Sequence, residues 1–340
     1  MDPILHRWNK IQRLHNVLET DEFGDFPLPH FVTFHTCYAC NQHCNGCAYS
    51  GLLDGQIMEY TKHFALVDFL MSIGVKAFDF SGGGEPTLIP YLRELMVHIK
   101  KHGRFFALVT NGTHLDDQII QFLKDHATYV RISLEAANID DYTQYKNVSS
   151  RMWYQVIKNC QKLHGLQDLS LKFAVGKSLR GYDHYVDALT LAADLDVSRV
   201  VFKALRHEPE ELSLEEKEHE SLLLNEIAAP FKNLVVKNQI VPWPLSSVPQ
   251  CWLTPLQAVF DAFGNMHLCC YFYCRNDLTL GNIFEGSNLR EAFTRLWFSK
   301  EHLQKIRGID RLECAQVDCK FFAHHQAVSQ AEKKGELFFL

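Results

Sequence analysis

Four thiols crowd into eleven positions, Cys37-Tyr38-Ala39-Cys40-Asn41-Gln42-His43-Cys44-Asn45-Gly46-Cys47, within a chain of 340 residues. Thiolates this close on one loop can wrap a single soft metal centre, and iron–sulfur clusters are held by cysteines in such short runs. Cys40, Cys44 and Cys47 make a C-x3-C-x2-C array with Cys37 standing in front. A structural zinc takes four protein ligands, which Cys37 or His43 could complete, so zinc is the competing chemistry. A second group, Cys251, Cys269, Cys270, Cys274, Cys314 and Cys319, lies toward the C-terminus. None of the 18 histidines falls in an H-E-x-x-H array, so a hydrolytic zinc site has no support.

The elements around these thiols are readable from periodicity. Ile4, Trp8, Ile11, Leu14 and Leu18 recur at helical spacing and predict an amphipathic lead-in helix over the first twenty residues. A strand is expected over 31–36, directly before the cysteines, then a helix over 60–74 and a strand ending in the glycines of 82–84. Further strand and helix patterns alternate to about residue 206, including one long helical stretch over 139–165. Six such alternations imply parallel strands with right-handed crossovers, in an open doubly wound sheet or a partial barrel. Ligands in such folds sit at the carboxyl ends of the strands. The cysteine loop, Ser81-Gly82-Gly83-Gly84-Glu85-Pro86, Thr110-Asn111-Gly112-Thr113 and the Ser133 to Asn138 segment all fall at that edge.

The composition, 47% hydrophobic and 22% charged, supplies a sizeable core and argues against disorder. The start of the chain lacks the basic patch and apolar core of a signal peptide, and no stretch reaches the ~18 uninterrupted apolar residues of a membrane span. A cytoplasmic protein is expected, in whose reducing surroundings 11 cysteines serve metal or catalysis rather than disulfides. A net charge of -6 without a basic run gives no electrostatic footprint for nucleic acid or an anionic membrane.

With Gly83-Gly84-Glu85-Pro86 following the second strand, Cys40, Cys44 and Cys47 resemble the radical S-adenosylmethionine (SAM) superfamily. The resemblance implies a partial (β/α)6 TIM-like barrel and a [4Fe-4S] cluster bound through three irons. The fourth iron then takes the amino and carboxylate groups of SAM. It also implies that Gly83, Gly84 and Glu85 receive the SAM amino group, with Asn111 nearby and Ser133 and Glu135 on the ribose or carboxylate. Without the cysteines, the glycines would read as a tight turn, Asn111 as an ordinary turn residue, and Ser133 with Glu135 as a solvent-facing pair. Gly46 departs from the aromatic residue that many members carry before the third cysteine, which leaves the adenine contact open.

The C-terminal cysteines, with Cys251-Trp252-x-x-Pro255, the hairpin pattern of 261–270, Leu280-Gly281-Asn282-Ile283 and a terminal C-x4-C, resemble the SPASM/twitch extension of the same superfamily. That resemblance implies a small β-hairpin plus helix domain holding one auxiliary [4Fe-4S] cluster through Cys251, Cys269, Cys314 and Cys319. Cys270 is nearly as eligible as Cys269, and four thiolates also make a closed zinc site. The expected domains are the lead-in over 1–30, a barrel over 31–210, a linker and helix over 211–250, the auxiliary domain over 251–325 and a tail over 326–340.

The implied reaction is reductive cleavage of SAM to a 5′-deoxyadenosyl radical, with an electron donor such as flavodoxin or ferredoxin, and hydrogen abstraction from a substrate. Only about thirty residues precede the first strand, too few for a leader-binding domain, so a small molecule oxidised in a dehydrogenase-like reaction is expected. A peptide maturase and an epimerase are the alternatives, and a non-catalytic zinc protein is a remote one. Arg131, Lys172, Lys203 and Arg206 are candidates to bind or deprotonate substrate, with Arg131 and Lys203 preferred; the competing reading is that strand-end cations simply reach water.

Overall fold

Runs of β-branched and aromatic residues alternate with longer amphipathic patterns, and in the computed structural model each run becomes a strand followed by a helix. The structure describes residues 13, 14, 17, 26–206, 209–241, 251, 254–271, 275–310, 314, 319 and 322–333. Two compact units share the chain: one comprises 37–57 and 79–241, the other 1–36, 58–78 and 242–340. Strand β2 (Ala77–Phe80) carries the chain across their boundary.

In the first unit, β3 (Phe105–Thr110), β4 (Val130–Glu135), β5 (Leu169–Val175), β6 (Arg199–Ala204) and β7 (Val235–Gln239) lie side by side and parallel in chain order. The crossovers are helices, as parallel pairing requires, and this is the α/β class expected. Local chemistry sets their ends. The Asp116 side chain caps α3 (Asp117–His126) by accepting from the Ile119 amide, and Asn138 caps α4 (Ile139–Lys146) by accepting from the Asp141 amide. The helical stretch expected over 139–165 is two helices. Asn147 takes a left-handed φ of 51° after α4, and α5 (Ser150–Lys162) begins afresh, because a short polar side chain at that conformation ends a helix. Next come α6 (Tyr182–Asp194) and α7 (Leu214–Ala228), the latter opened by a reciprocal Ser213 and Glu216 capping box. Strand β7 is absent from the sequence expectation, which had only a linker and helix there. Its Lys237, Asn238 and Gln239 give no apolar strand signal, and it pairs with β6 alone at the end of the order.

In the second unit, β1 (Phe31–His35) pairs in parallel with β8 (Gln257–Asp261), from Phe31 against Gln257 to His35 against Asp261. The expected hairpin is present: β9 (Asn265–His267) runs antiparallel to β8, and β10 (Thr279–Asn282) adds to β9. Its turn is built by Asp261, whose carboxylate accepts from the amides of Phe263 and Asn265 at 2.9 and 2.8 Å and from the Asn265 side chain at 2.8 Å. Burial opposes the charge on Asp261, but His267 and Asn265 outweigh it and hold the carboxyl below its usual range. Helix α1 (Tyr60–Ser72) belongs to this unit, as do α8 (Leu289–Trp297) and α9 (Lys300–Arg307), separated by a Ser299 cap. The buried Trp297 indole donates to the Pro27 carbonyl at 3.0 Å. A final helix, α10 (Phe322–Lys333), occupies the start of the stretch expected as tail. Of the lead-in helix, residues 13, 14 and 17 are described and helical; its remainder, the proline-broken 242–250 and Cys274 lie outside the described residues.

Candidate active site and a second cysteine group

The loop after β1 carries Cys40, Cys44 and Cys47, all half-buried. Every side of it is tied down within its own unit. The Asn41 side chain donates to Thr113 Oγ1 at 2.9 Å and accepts from the Asn111 side chain at 2.8 Å, so the residue after Cys40 is clamped to the turn after β3. Buried Gln42 donates to the Tyr142 hydroxyl at 3.1 Å, and the amides of His43 and Asn45 donate to the carbonyls of Lys146 and Tyr145 at the end of α4. Burial raises the Cys40 thiol to about 11 and also raises Cys44. The same burial opposes the Lys146 ammonium, yet Cys44 and Glu135 outweigh it and hold Lys146 above its ordinary value. Lys146 donates to the Ser133 carbonyl at 2.6 Å. A buried cation beside the thiols favours their thiolate form, the state that binds metal. Nothing in local periodicity marks Gln42, Tyr142 or Lys146, and the sequence reading missed them.

Cys37 behaves differently from the three that follow. It is 1% exposed, its thiol donates to the carbonyls of Ala39 and Glu85 at 3.4 and 3.3 Å, and burial pushes it up to about 12. Its hydrogen bonds to two carbonyls are those of a packing thiol, and Cys37 stays outside the expected ligand set. Cys37→Ala is therefore expected to keep the full iron content of the loop cluster while costing about 1–2 kcal/mol of stability for the small cavity and lost contacts. Iron analysis together with thermal unfolding checks this, and loss of iron would put Cys37 among the ligands.

The glycine segment lies on this loop. The Gly84 amide donates to the Cys37 carbonyl at 2.5 Å and the Glu85 amide to the Ala39 carbonyl at 2.7 Å. A Cβ on Gly83 would meet the Cys37 oxygen at 2.4 Å, and one on Gly84 would meet the Ala39 oxygen at 2.0 Å. The glycines are thus required by contact as well as by the left-handed φ of 73° at Gly83. Glu85 knots the segment to β3. One carboxylate oxygen accepts from the Thr87 amide and hydroxyl and the Thr110 hydroxyl at 3.1, 2.6 and 2.5 Å; the other accepts from the Asn111 amide at 2.6 Å. That second oxygen retains a lone pair for a ligand.

At the end of β4, Glu135 is buried at a φ of 76°, a conformation costly for a non-glycine residue, and pairs with Lys172 at 2.9 Å. Its other oxygen, Oε2, is buried with no hydrogen-bond partner. A buried acceptor lacking a donor fits a ligand that brings hydroxyl or ammonium groups. The cluster and SAM therefore fit the residues present: three thiols on a braced loop, a glycine cradle that admits no side chain, and an open carboxylate oxygen. Arg131 and Lys203, the expected substrate residues, lie at opposite ends of their strands. Arg131 is the second residue of β4, on the far side of Ser133 from the rim, and Lys203 is the last but one of β6.

In the other unit, Cys269 and Cys270 follow β9. The Cys270 thiol beside Cys269, reinforced by burial and by Cys319, drives the Cys269 thiol well above its ordinary value. Cys251 accepts from the Thr254 hydroxyl at 3.5 Å and lies 4.0 Å from buried His325 Nε2. Cys314 is buried and Cys319 half-buried. His325, 74 residues from Cys251, is a neighbour that no local motif marks. Among the described residues, no three His, Cys, Asp or Glu side chains converge on a common point as a single bound ion requires. No helix among the described residues is long and apolar enough to cross a membrane.

These features define a radical SAM domain: residues 35–176 match the Radical SAM superfamily model. The Radical SAM family uses a [4Fe-4S] cluster and SAM. Over 290 residues it is 23% identical to the antilisterial bacteriocin subtilosin biosynthesis protein AlbA of Bacillus subtilis (strain 168), covering 80% of this chain and 61% of AlbA. The chain thus spans about three fifths of that relative's length. In fold it is similar to Streptococcus suis SuiB bound to the precursor peptide SuiA, with a TM-score of 0.67 at 12% identity over 88% of this chain and 70% of SuiB. Native anSMEcpe with bound AdoMet is similar too, with a TM-score of 0.65 at 18% identity over 88% of each chain.

Proposed function

We propose that this chain cleaves SAM reductively and abstracts a hydrogen atom from a substrate at the strand ends of its first unit, with net two-electron oxidation. The observation that carries the reading is the braced Cys40, Cys44 and Cys47 loop lying on the Gly83-Gly84-Glu85 cradle. When bound and reduced, the cluster supplies the one electron that splits SAM into methionine and a 5′-deoxyadenosyl radical. Gly83 and Gly84 bring backbone against the methionine part, Glu85 accepts from its ammonium, and Asn111, Ser133 and Glu135 hold the remainder. Lys172 fixes Glu135 in place. Cys251, Cys269, Cys314 and Cys319 are proposed to hold the auxiliary cluster, which would supply an acceptor for the electron left on the substrate, the proton passing to water. A flavodoxin or ferredoxin serves as donor in the cytoplasm.

A peptide is the substrate favoured here, because a bacteriocin biosynthesis protein and a fold neighbour holding a precursor peptide both match well beyond the radical SAM segment. This departs from the small molecule expected from the sequence. That expectation rested on the short stretch before the first strand, which does not bear on a chain spanning part of its relative.

Anaerobic reconstitution is expected to give about eight irons and eight sulfides per chain, and dithionite with SAM to release 5′-deoxyadenosine. Incubation with peptides encoded beside the gene should then yield a product lighter by two hydrogens, one SAM consumed for each. An unchanged mass would replace oxidation by epimerisation, and zinc without SAM cleavage would end the enzymatic reading.

A further inference from the structure

The inner faces of closed (β/α) barrels are ordinarily packed with Val, Ile and Leu. Here the two faces of β4 to β7 differ sharply. One face carries Ile132, Leu134, Leu171, Phe173 and Phe202, all buried; Phe173 and Phe202 stack at 5.5 Å, and Tyr185 of α6 meets Phe202 edge-on at 5.4 Å. The other face is cationic. Strand register aligns Arg131 with Ser170 and Ser170 with Arg199, and in the next row Ser133, Lys172, Val201 and Lys237 follow one another across the four strands. Residues in register on neighbouring strands share a face, and so do residues two apart on one strand. Lys203, two residues beyond Val201, therefore joins the same face. Among the described residues Arg199 stands 3.2 Å from Asp168 and Lys172 2.9 Å from Glu135, and Arg131 and Lys237 share the face with them.

The cations act on one another. Lys237 loses affinity for its proton through burial first and then through Arg199 and Arg131, so these three groups share one field. Arg131 Nε and Arg199 Nε are buried without a hydrogen-bond partner, while Lys237 is exposed and keeps this face open to water. Like charges gathered on a strand face, with guanidinium donors unspent, are costly unless something negative arrives. SAM is not that group, because Arg131 lies four residues before Glu135, roughly 13 Å along the strand from the rim that cradles it.

We propose that this face recognises an anionic group on the substrate, a carboxylate or phosphate held by Arg131, Arg199 and Lys237, so that the peptide oxidised at the rim extends an acidic segment along the strands. This rests on the radical SAM reading above and names the chemistry of the substrate for that site. Arg131 thereby becomes a substrate-binding residue and not an acid or base.

Calorimetry on the reconstituted full chain with SAM tests this using hexaglutamate, tripolyphosphate and neutral hexaglutamine as probes. An anionic probe is expected to bind at least about tenfold more tightly than hexaglutamine, with affinity falling as salt rises. Tighter binding of hexaglutamate assigns a carboxylate, and tighter binding of tripolyphosphate assigns a phosphate. Arg199→Gln and Lys237→Gln should each weaken the preferred probe about tenfold, with iron content and unfolding temperature as controls for folding. Lys237 is exposed, so its variant reports even where a change at half-buried Arg199 unfolds the chain. Equal binding of charged and neutral probes, or anion binding unmoved by Lys237→Gln, overturns the proposal. If the parent protein forms no 5′-deoxyadenosine, the radical reading fails instead, and the two failures remain distinct.

Discussion

Gly84→Ala is expected to abolish SAM cleavage, lowering 5′-deoxyadenosine formation by more than about a hundredfold, although it adds a single methyl group. The new Cβ would fall 2.0 Å from the Ala39 carbonyl oxygen and 2.6 Å from its carbon. Both neighbours are backbone, so no rotamer change relieves the overlap, and the glycine segment must lift from the cysteine loop. Lifting breaks the hydrogen bonds that the Gly84 and Glu85 amides donate to the Cys37 and Ala39 carbonyls and shifts Cys40, the next residue. Stability should fall by about 1–3 kcal/mol, the usual cost of overpacking, and SAM affinity should fall with it. Gly103, whose Cβ would meet nothing within 4 Å, is the control: Gly103→Ala pays only for its φ of 68° and should cleave SAM normally. Product chromatography and calorimetric titration of SAM check both variants, and near-parental cleavage by Gly84→Ala would remove the cradle from the site.

Cys44→Ala and Cys269→Ala should each lose about four irons, but with different consequences. Cys44→Ala removes one of three thiolates from the cluster that cleaves SAM, so 5′-deoxyadenosine should fall to background while the auxiliary iron remains. Cys269→Ala should keep SAM cleavage and lose the oxidised product, because the electron acceptor for the substrate radical is gone. Cys270→Ala separates the two adjacent thiols: retention of all about eight irons supports Cys269 as the ligand, whereas loss of four assigns the role to Cys270. Iron analysis and electron paramagnetic resonance of the reduced protein read these outcomes. Full iron in Cys44→Ala would mean that the ligand set is wrongly drawn.

Much of this site was legible because its signals are local. Cys40, Cys44 and Cys47 lie within one loop, and Gly83 to Pro86 directly follow an apolar strand, so the motifs that carry the family resemblance are each contained in one short stretch of chain. The β/α alternation was readable for the same reason, since each strand and helix is a continuous pattern of period two or 3.6. Legibility failed where a partner is remote in the chain. Gln42 meets Tyr142 a hundred residues on, and Cys251 meets His325 across 74 residues. Strand β7 escaped because Lys237 to Gln239 belong to it by pairing with β6 and not by propensity. The break at Asn147 escaped because a left-handed conformation is set by one residue within an otherwise helical pattern.

By itself, then, the sequence determined the thiol-rich loop, the glycine segment that lies on it, and the parallel α/β scaffold, all of which depend on residues close together in the chain. Only the tertiary structure decided what the strands present beside that site. Arg131, Arg199 and Lys237 come from three strands, and whether their side chains share a face depends on register, which one residue of slip would reverse.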